Sequence, residues 1–529
     1  MRPVFTFNEI RAVENEIING EGIPSIILME NAGRNSFDVI ADELGNLDDY
    51  NIYIICGKGN NAGDGFTLAR HMLIEGIEFK VIMLTAEDTL KGDAAVNYSI
   101  LKKLASDYEE GIINFGSPAE VIKGIRKSEK VLLIDAVLGT GISGNLDEKF
   151  AKAINEINFI REKYNNVMVV SLDVPSGLKS AEDDEPAVNA DFTVSMGTIK
   201  SELLFGKGKV CSGYKIEIVP IGITDEMISA YNKYNKYFVD FDDVLELLPR
   251  RKKVSYKYVN GKVLVIGGSK GLSGAAAMSS LSAVKAGAGG VAAAIPESIS
   301  KVFTGRLFEI MTVILDETNA GTIAADSFDK LAKRLNWCDA VLLGPGISTN
   351  EETKRFVRQL INECGKNMVI DADALNIIAE DVSVLKNRKY KNEIIITPHL
   401  GEFSRLSGKS IDDIKADRFK SVREFAYEYN VNVILKSETT ISCVRSGDVY
   451  VNPTGNEALA MAGTGDVLSG IIVSLLAQSG DVMTAMLCGN YVHGYCADLY
   501  RSKTGNSQTA SPQDIIKLIP KAITDITEG

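Results

Sequence analysis

Short apolar, strand-like runs alternate with helical stretches along most of this chain. That alternation restricts the fold to parallel sheets with helices packed on both faces. In the first half the runs are 51–56, 79–84, 131–135, 167–173 and 192–196; in the second they are 262–266, 340–343, 368–370, 394–397 and 433–436. Ahead of them, Thr6-Phe7-Asn8-Glu9 has the form of a capping box and predicts a helix start. Gly20, Gly22 and Pro24 should end that helix, and a second should run to about Gly45. Between the halves the pattern breaks: 231–237 is polar and aromatic, 240–246 acidic and 250–253 basic. A chain of 529 residues is too long for one core. The expectation is an N-terminal domain over 1–222, a linker over 223–250 and a second domain over 251–529. The fold class is α/β, the first domain being Rossmann-like with three α/β/α layers.

Ligands of such sheets gather where the carboxyl ends of the strands meet, and several strand ends here carry unusual residues. Gly463-Thr464-Gly465-Asp466 precedes an apolar stretch of helical spacing. Glycines there permit a tight turn, and a helix N-terminus offers unpaired N–H groups to an anion such as phosphate. A carboxylate in the first turn can take a proton from an alcohol held against that phosphate. Other strand ends in this half carry Gly344-Pro345-Gly346, Asp371-Ala372-Asp373, His399 to Arg405 and Lys436 to Thr440. Singly each reads as a cap, a turn or a surface charge; together they outline a cleft.

In the first half, Gly57-Lys58-Gly59-Asn60-Asn61-Ala62-Gly63-Asp64-Gly65 joins a strand to a helix. It formally matches a dinucleotide fingerprint, but a dinucleotide turn has no need of two Asn and an Asp crowded among its glycines. Asp135 and Asp173 close two further strands, the latter followed by Val174-Pro175-Ser176-Gly177. Asn61, Asp135 and Ser176 supply oxygen ligands suited to a hard cation.

A net charge of −13 argues against a nucleic-acid binder. Seven scattered cysteines without a C-x-x-C suit a reduced, cytoplasmic protein. Three widely spaced histidines do not suit a multi-His metal centre. No apolar stretch is long enough to span a bilayer. Small-molecule partners, no nucleic acid, no membrane and a homo-oligomer are expected.

The segments Gly59 to Gly65, Asp135…Gly139-Thr140-Gly141 and Asp173 to Gly177 resemble the NAD(P)H-hydrate epimerase family, over about residues 5–220. Ala62 stands where that family often has Gly. The resemblance implies that Asn61, Asp135 and Ser176 hold a potassium ion. It implies a substrate, NADHX or NADPHX, whose reduced nicotinamide ring is hydrated at C6. The implied substrate contacts are Asn60, Asn61, Ala62, Gly63, Asp64, Gly139, Thr140, Gly141, Ile142, Ser143, Gly144, Asn145 and Asp173. The ring nitrogen can expel the C6 hydroxyl once an acid protonates it, and Asp173 is the expected acid/base.

The second half resembles the ADP/ATP-dependent NAD(P)H-hydrate dehydratase family, of ribokinase-like fold, over about residues 250–525; the run from Asn452-Pro453-Thr454-Gly455-Asn456 to Asp466 is its most specific part. The resemblance implies that Lys436, Ser437, Glu438, Thr439 and Thr440 bind the adenine nucleotide. Asn456, Glu457, Ala458, Leu459, Ala460, Met461, Ala462, Gly463, Thr464 and Gly465 join them. It implies that Gly346, His399, Leu400, Gly401, Glu402, Phe403, Ser404, Arg405 and Asp466 face the hydrate, with Asp466 catalytic and Mg²⁺ bound with ADP or ATP. Where that family has His-Lys-Gly, this chain has Tyr256-Lys257-Tyr258, whose role stays open. The fused pair reads as metabolite repair: epimerisation of the hydrate, then its dehydration to NAD(P)H. The rival readings are a small-molecule kinase and a binding role for the first half.

Overall fold

Successive residues of each strand point to opposite faces, and in this protein both faces are apolar. In the computed structural model, which describes residues 1–107, 111–123, 125–142, 144–251 and 260–528, these strands form two separate α/β units, 2–233 and 234–529. Ser143 and Tyr256-Lys257-Tyr258 lie outside the described residues.

The strands of the first unit are β1 (Arg2–Phe5), β2 (Tyr50–Cys56), β3 (Phe79–Met83), β4 (Ile113–Phe115), β5 (Lys130–Ala136), β6 (Val167–Leu172), β7 (Phe192–Met196), β8 (Ile199–Lys200) and β9 (Lys215–Val219). Seven of them form a wholly parallel sheet in the order β4-β3-β2-β5-β6-β7-β9, and β1 pairs with β8. Ile54, Leu132 and Val170 pack on one face with Phe66, Leu68, Met72 and Leu101. Their neighbours Ile55, Leu133 and Val169 pack on the other with Phe150, Ala153, Ile154, Ile157 and Ile160, the apolar stripe of the Glu148–Lys163 helix. Each such side chain contributes about 1.5–3 kcal/mol when fully buried. The expected capping box is present: Glu9 N donates to Thr6 Oγ1 (3.2 Å) and Thr6 N to Glu9 Oε2 (2.7 Å).

The second unit contains β10 (Lys236–Phe238), β11 (Lys262–Ile266), β12 (Gly290–Pro296), β13 (Ile310–Leu315), β14 (Ala340–Leu343), β15 (Asn367–Ile370), β16 (Ile394–Ile396), β17 (Asn432–Leu435), β18 (Ile441–Cys443) and β19 (Val449–Val451). They follow the order β13-β12-β11-β14-β15-β16-β17-β18-β19-β10, parallel except for β18 against its two neighbours. Val263, Val265, Leu342 and Val369 face a core built with the Ser273–Lys285, Thr464–Ser479, Val482–Thr504 and Pro512–Glu528 helices. The alternate residues Leu264, Val341, Leu343 and Ile370 are equally buried. All seven cysteines are buried and unpaired, and no helix among the described residues is long and apolar enough to cross a membrane.

Two departures from expectation have physical causes. Residues 223–250 are divided between the units: the Asp225–Ala230 helix belongs to the first, β10 and the Phe241–Leu247 helix to the second. The polar-looking Tyr/Lys run hides β10 because its pairing with β19 is made by backbone, and Tyr237 stacks on Tyr450 with ring centroids 5.6 Å apart. Strand β12 was not expected because Gly290-Val291-Ala292-Ala293-Ala294 is rich in alanine, a weak strand former.

Strand order places a switch point in each unit. In the first, the chain turns one way from β2 to β3 and β4, and the other way from β5 onward. In the second the reversal falls between β11 and β14. The crevices beyond these strands are the expected ligand positions.

The Thr464–Ser479 helix is buried on nearly all sides, and Gly470 lets it lie against the Ser273–Lys285 helix: a Cβ there would sit 2.3 Å from Ser279 O. Gly470→Val should therefore lower the unfolding midpoint of the second unit by an amount equivalent to about 1–3 kcal/mol. Calorimetry of the full chain checks this; an unchanged transition would show that the helices can separate at no cost.

Candidate active sites

In the first unit, β2 runs into Gly57, whose Cβ would meet Val137 O at 2.1 Å, so only glycine lets the loops after β2 and β5 approach this closely. Asn60–Ile74 forms a helix beginning at Gly59. Asn61, in its first turn, donates through Nδ2 to Leu138 O (3.0 Å), while its Oδ1 is buried with no partner. Asp135, near the end of β5, is fully buried. It accepts from Ser171 Oγ (2.8 Å), Ser176 N (2.9 Å), Ser176 Oγ (2.5 Å) and Val137 N (3.3 Å). Ser176 Oγ also accepts from Leu138 N at 2.8 Å. The three residues expected to gather oxygen ligands thus share one hydrogen-bonded cluster around Leu138.

Beside this cluster lies a cavity of about 610 Å³, walled by Asn60, Asn61, Asp64, Gly139, Thr140, Gly141, Ile142, Asn145 and Asp173 among others. Ala62 and Gly63 are buried away from it, Gly63 against Met29, and Gly144 is not on its wall. Asp173 follows β6 in a left-handed conformation (φ 62°), which Asp tolerates better than most residues. Its Oδ1 accepts from Lys200 Nζ (2.6 Å) and Met196 N (3.4 Å). Lys200 is almost fully buried and donates also to Met196 O (2.7 Å) and Ser195 Oγ (3.1 Å).

Glu14, Arg11 and Lys200 are charged groups of this site that the sequence motifs did not point to. Glu14 and Arg11 line the cavity from the Phe7–Gly20 helix. Glu14 had a signal: it occupies the apolar stripe Phe7, Ile10, Ile17, where a helix this amphipathic would place another hydrophobe. Lys200 had none, because nothing in its spacing separates it from a surface lysine.

In the second unit the loops at the switch point are joined. Gly268 N donates to Pro345 O (2.8 Å) and Ser269 Oγ to Gly346 O (2.9 Å), and Gly346 is left-handed (φ 64°). Asp371 beyond β15 and Lys436 beyond β17 form a buried ion pair at 2.9 Å. The same ammonium lies at the start of the Thr464–Ser479 helix, 3.3 Å from where a Cβ on Gly465 would be. Gly463 (φ 98°) caps that helix. Thr464 N already donates to Met461 O (3.3 Å), so among the described residues the amides of Gly465 and Asp466 are those open to an anion. Burial, then the nearby Asp371 carboxylate, pushes Asp466 up to about 7, with Lys436 opposing.

His399 caps the Leu400–Ser407 helix: its Nδ1 accepts from Gly401 N (3.0 Å) and Glu402 N (3.3 Å). Burial, then Lys436, lowers its pKa. Glu402 returns the bond to His399 N at 2.9 Å and is itself raised by burial. Arg405 donates twice to Asn376 Oδ1 (2.9 and 3.1 Å). Phe403 instead packs in the core against Phe425, and Ser404 Oγ bonds Lys409 O (2.7 Å).

The remaining expected nucleotide contacts are held in loops with internal bonds. Glu438 pairs with Arg418 (2.7 Å), Ser437 Oγ donates to Thr439 O (2.7 Å) and Thr440 O accepts from Asn452 N (3.0 Å). Asn456 Nδ2 donates to Asp498 (2.8 Å), Glu457 accepts from Ser507 (2.5 Å) and Thr464 Oγ1 bonds the carbonyls of Leu459 and Met461 (both 2.8 Å). Ala458 is buried, and Met461 and Ala462 are exposed.

Residues 263–521 match the family model described as NAD(P)H-hydrate dehydratase, and residues 25–201 the one described as YjeF-related protein N-terminus. The bifunctional NAD(P)H-hydrate repair enzyme of Moorella thermoacetica is 34% identical over 96% of this chain and 94% of its own length. Its counterpart in Dictyoglomus turgidum is 32% identical over 98% of each chain, and that of Escherichia coli 29% identical over 95% of this chain and 90% of its own. Among solved structures, the ADP/ATP-dependent NAD(P)H-hydrate dehydratase from Bacillus subtilis co-crystallised with ATP/Mg²⁺ is 26% identical, covering 55% of this chain and 98% of that one with a TM-score of 0.47. With likeness running end to end through both units, the chain belongs to the family of bifunctional NAD(P)H-hydrate repair enzymes.

Proposed function

We propose that this chain repairs hydrated nicotinamide cofactors in two steps. The first unit interconverts the R and S epimers of NADHX and NADPHX. The second dehydrates the S epimer with ADP or ATP, giving NAD(P)H, phosphate and AMP or ADP. The observation that carries this reading is the end-to-end match to bifunctional repair enzymes in a chain with two strand-end sites.

In the second unit Asp466, in its ionised form, takes the proton of the C6 hydroxyl. The freed oxygen attacks the terminal phosphorus of the nucleotide. Lys436 and the amides of Gly465 and Asp466 offset charge on the phosphoryl oxygens. The ring nitrogen then expels phosphate, and loss of a C5 proton restores the dihydronicotinamide. Mg²⁺, bound mainly through the phosphates, would supply further charge neutralisation. The loops 436–440 and 456–465 are the proposed nucleotide contacts; Gly346, His399 and Arg405 are the proposed contacts to the hydrate.

In the first unit a carboxyl group facing the cavity protonates the C6 hydroxyl, and water returns from either face. Asn61, Asp135 and Ser176 fit a potassium ion: one carboxylate, one hydroxyl and a buried amide oxygen without a partner make a hard, singly charged donor set. Such an ion would satisfy Asn61 Oδ1 and fix the loop carrying Gly139. Among the described residues no cluster of three His, Cys, Asp or Glu stands ready for another metal.

Incubating the full chain with mixed-epimer hydrate, ADP, Mg²⁺ and K⁺ tests the reading. Complete recovery of reduced cofactor with stoichiometric inorganic phosphate is expected; a phosphorylated product instead would establish a kinase. Asp466→Asn should slow dehydration by about 10²–10⁴-fold while still binding nucleotide by calorimetry. Because Asp466 must be ionised and its pKa is about 7, dehydration by the wild-type chain should rise with pH through that value. Exchanging K⁺ for tetramethylammonium should lower both epimerisation and the first unit's melting midpoint and leave dehydration of the S epimer intact; an unchanged midpoint would speak against the ion.

A further inference from the structure

The epimerase cavity contains more acid than a single proton transfer needs. Five acidic side chains line it, Asp93 and Asp147 among them, and three lie close enough to act on one another: Glu14 from the Phe7–Gly20 helix, Asp64 from the Asn60–Ile74 helix and Asp173 from the loop after β6. One buried ammonium stands among them, and it is committed. Lys200 Nζ lies 2.6 Å from Asp173 Oδ1, and its other bonds go to neutral groups, Ser195 Oγ and Met196 O. A buried ammonium without an anionic partner is strongly unfavourable, so the Lys200 contact fixes Asp173 in the role of counter-ion. Neither Glu14 nor Asp64 has a hydrogen-bond or ion-pair partner among the described residues. Asp64 is the more enclosed of the two, while Glu14 keeps partial exposure toward the cavity.

Resting on the epimerase reading above, we propose that Glu14 is the group that gives and retakes the proton, and that Asp173, paired with Lys200, remains a carboxylate that stabilises the cationic intermediate. This moves the proton from Asp173, the candidate from sequence in the loop after β6, to a residue on the Phe7–Gly20 helix. The step balances. Glu14 transfers its proton to the C6 hydroxyl oxygen. The C–O bond breaks with its electron pair on the departing water, and the ring-nitrogen lone pair forms the C=N bond. Water then adds to C6 from either face, the C=N pair returns to nitrogen, and the surplus proton goes back to Glu14. Between the two halves the ring bears a positive charge, opposite in sign to Asp173. The Asp173 Oδ2 atom is placed for this: it lies 3.6 Å from where a Cβ on Gly139 would be, so the absent side chain leaves that oxygen open to the cavity.

The charges around Glu14 favour the same division. Burial, then the Asp173 carboxylate, pushes Glu14 up to about 7, with Lys200 and Arg11 opposing. Asp64 is raised as well, by burial, Asp173 and Glu14 together, and it is the more enclosed of the two, so Glu14 is the better placed to reach a substrate in the cavity.

The test follows interconversion of (R)- and (S)-NADHX by the full-length chain without adenine nucleotide, with the uncatalysed rate subtracted and each variant's melting midpoint recorded. Glu14→Gln should slow interconversion by about 10²–10⁴-fold, and Glu14→Asp should restore part of it. The wild-type rate should fall as pH rises through about 7, because the proton donor must be protonated. Asp173→Asn should be slower yet keep that limb, displaced to lower pH once the neighbouring negative charge is gone. Glu14→Gln near the wild-type rate, or Asp173→Asn with no limb at all, would overturn the assignment. A wild-type chain that leaves the epimers untouched overturns the epimerase reading itself, and this assignment with it.

Discussion

A buried charge at a strand tip has to be balanced, and both units do this in the same way. In each, a carboxylate just beyond a parallel strand is paired with a lysine from the end of another strand: Asp173 with Lys200 and Asp371 with Lys436. Breaking such a pair costs about 3–5 kcal/mol, because the remaining charge is left without a partner. With the lysine engaged, the next carboxyl group in the same crevice makes no ion pair among the described residues, although Arg11 or the lysine itself still acts on it from a distance. Burial and the paired carboxylate then raise it, Glu14 in the first unit and Asp466 in the second, each to about 7. One arrangement thus yields a fixed anion and a proton carrier poised near neutrality.

What differs is the element that delivers the proton carrier. Asp466 stands in the first turn of a helix whose free amides attract phosphate, so its proton chemistry is joined to phosphoryl transfer. Glu14 sits in the third turn of its helix, so it is not joined to an N-terminus of its own; the helix start that meets this cavity is that of Asn60–Ile74. Proton transfer without phosphoryl transfer is what reversal of a hydration requires. The division of labour between the units goes with where on its helix the proton carrier stands.

Much of this was legible in the sequence. Strand-helix alternation gave the parallel sheets because backbone pairing and two-faced burial leave a strong apolar signature. The strand-end motifs pointed to Asn61, Asp135, Ser176, Asp173, Lys436 and Asp466, because turns that singly read as caps or surface charges recur at successive strand ends. Three things were hidden. Strand β10 was masked by its tyrosines and lysines, and β12 by its alanines, because their pairing is set by tertiary contacts rather than by local preference. Phe403 and Ser404 sit inside a motif segment, yet helix geometry turns them away from the site. Glu14 and Lys200 lie outside every motif, and only the fold brings them to Asp173.

The central claim is that Glu14 and Asp466 are proton carriers tuned by burial beside an already paired carboxylate. Carboxyl ¹³C NMR of the full chain labelled at Asp and Glu tests it most directly, with the two resonances assigned by their loss in Glu14→Gln and Asp466→Asn. Both should titrate near pH 7. Resonances already fully ionised at pH 5 would contradict the account.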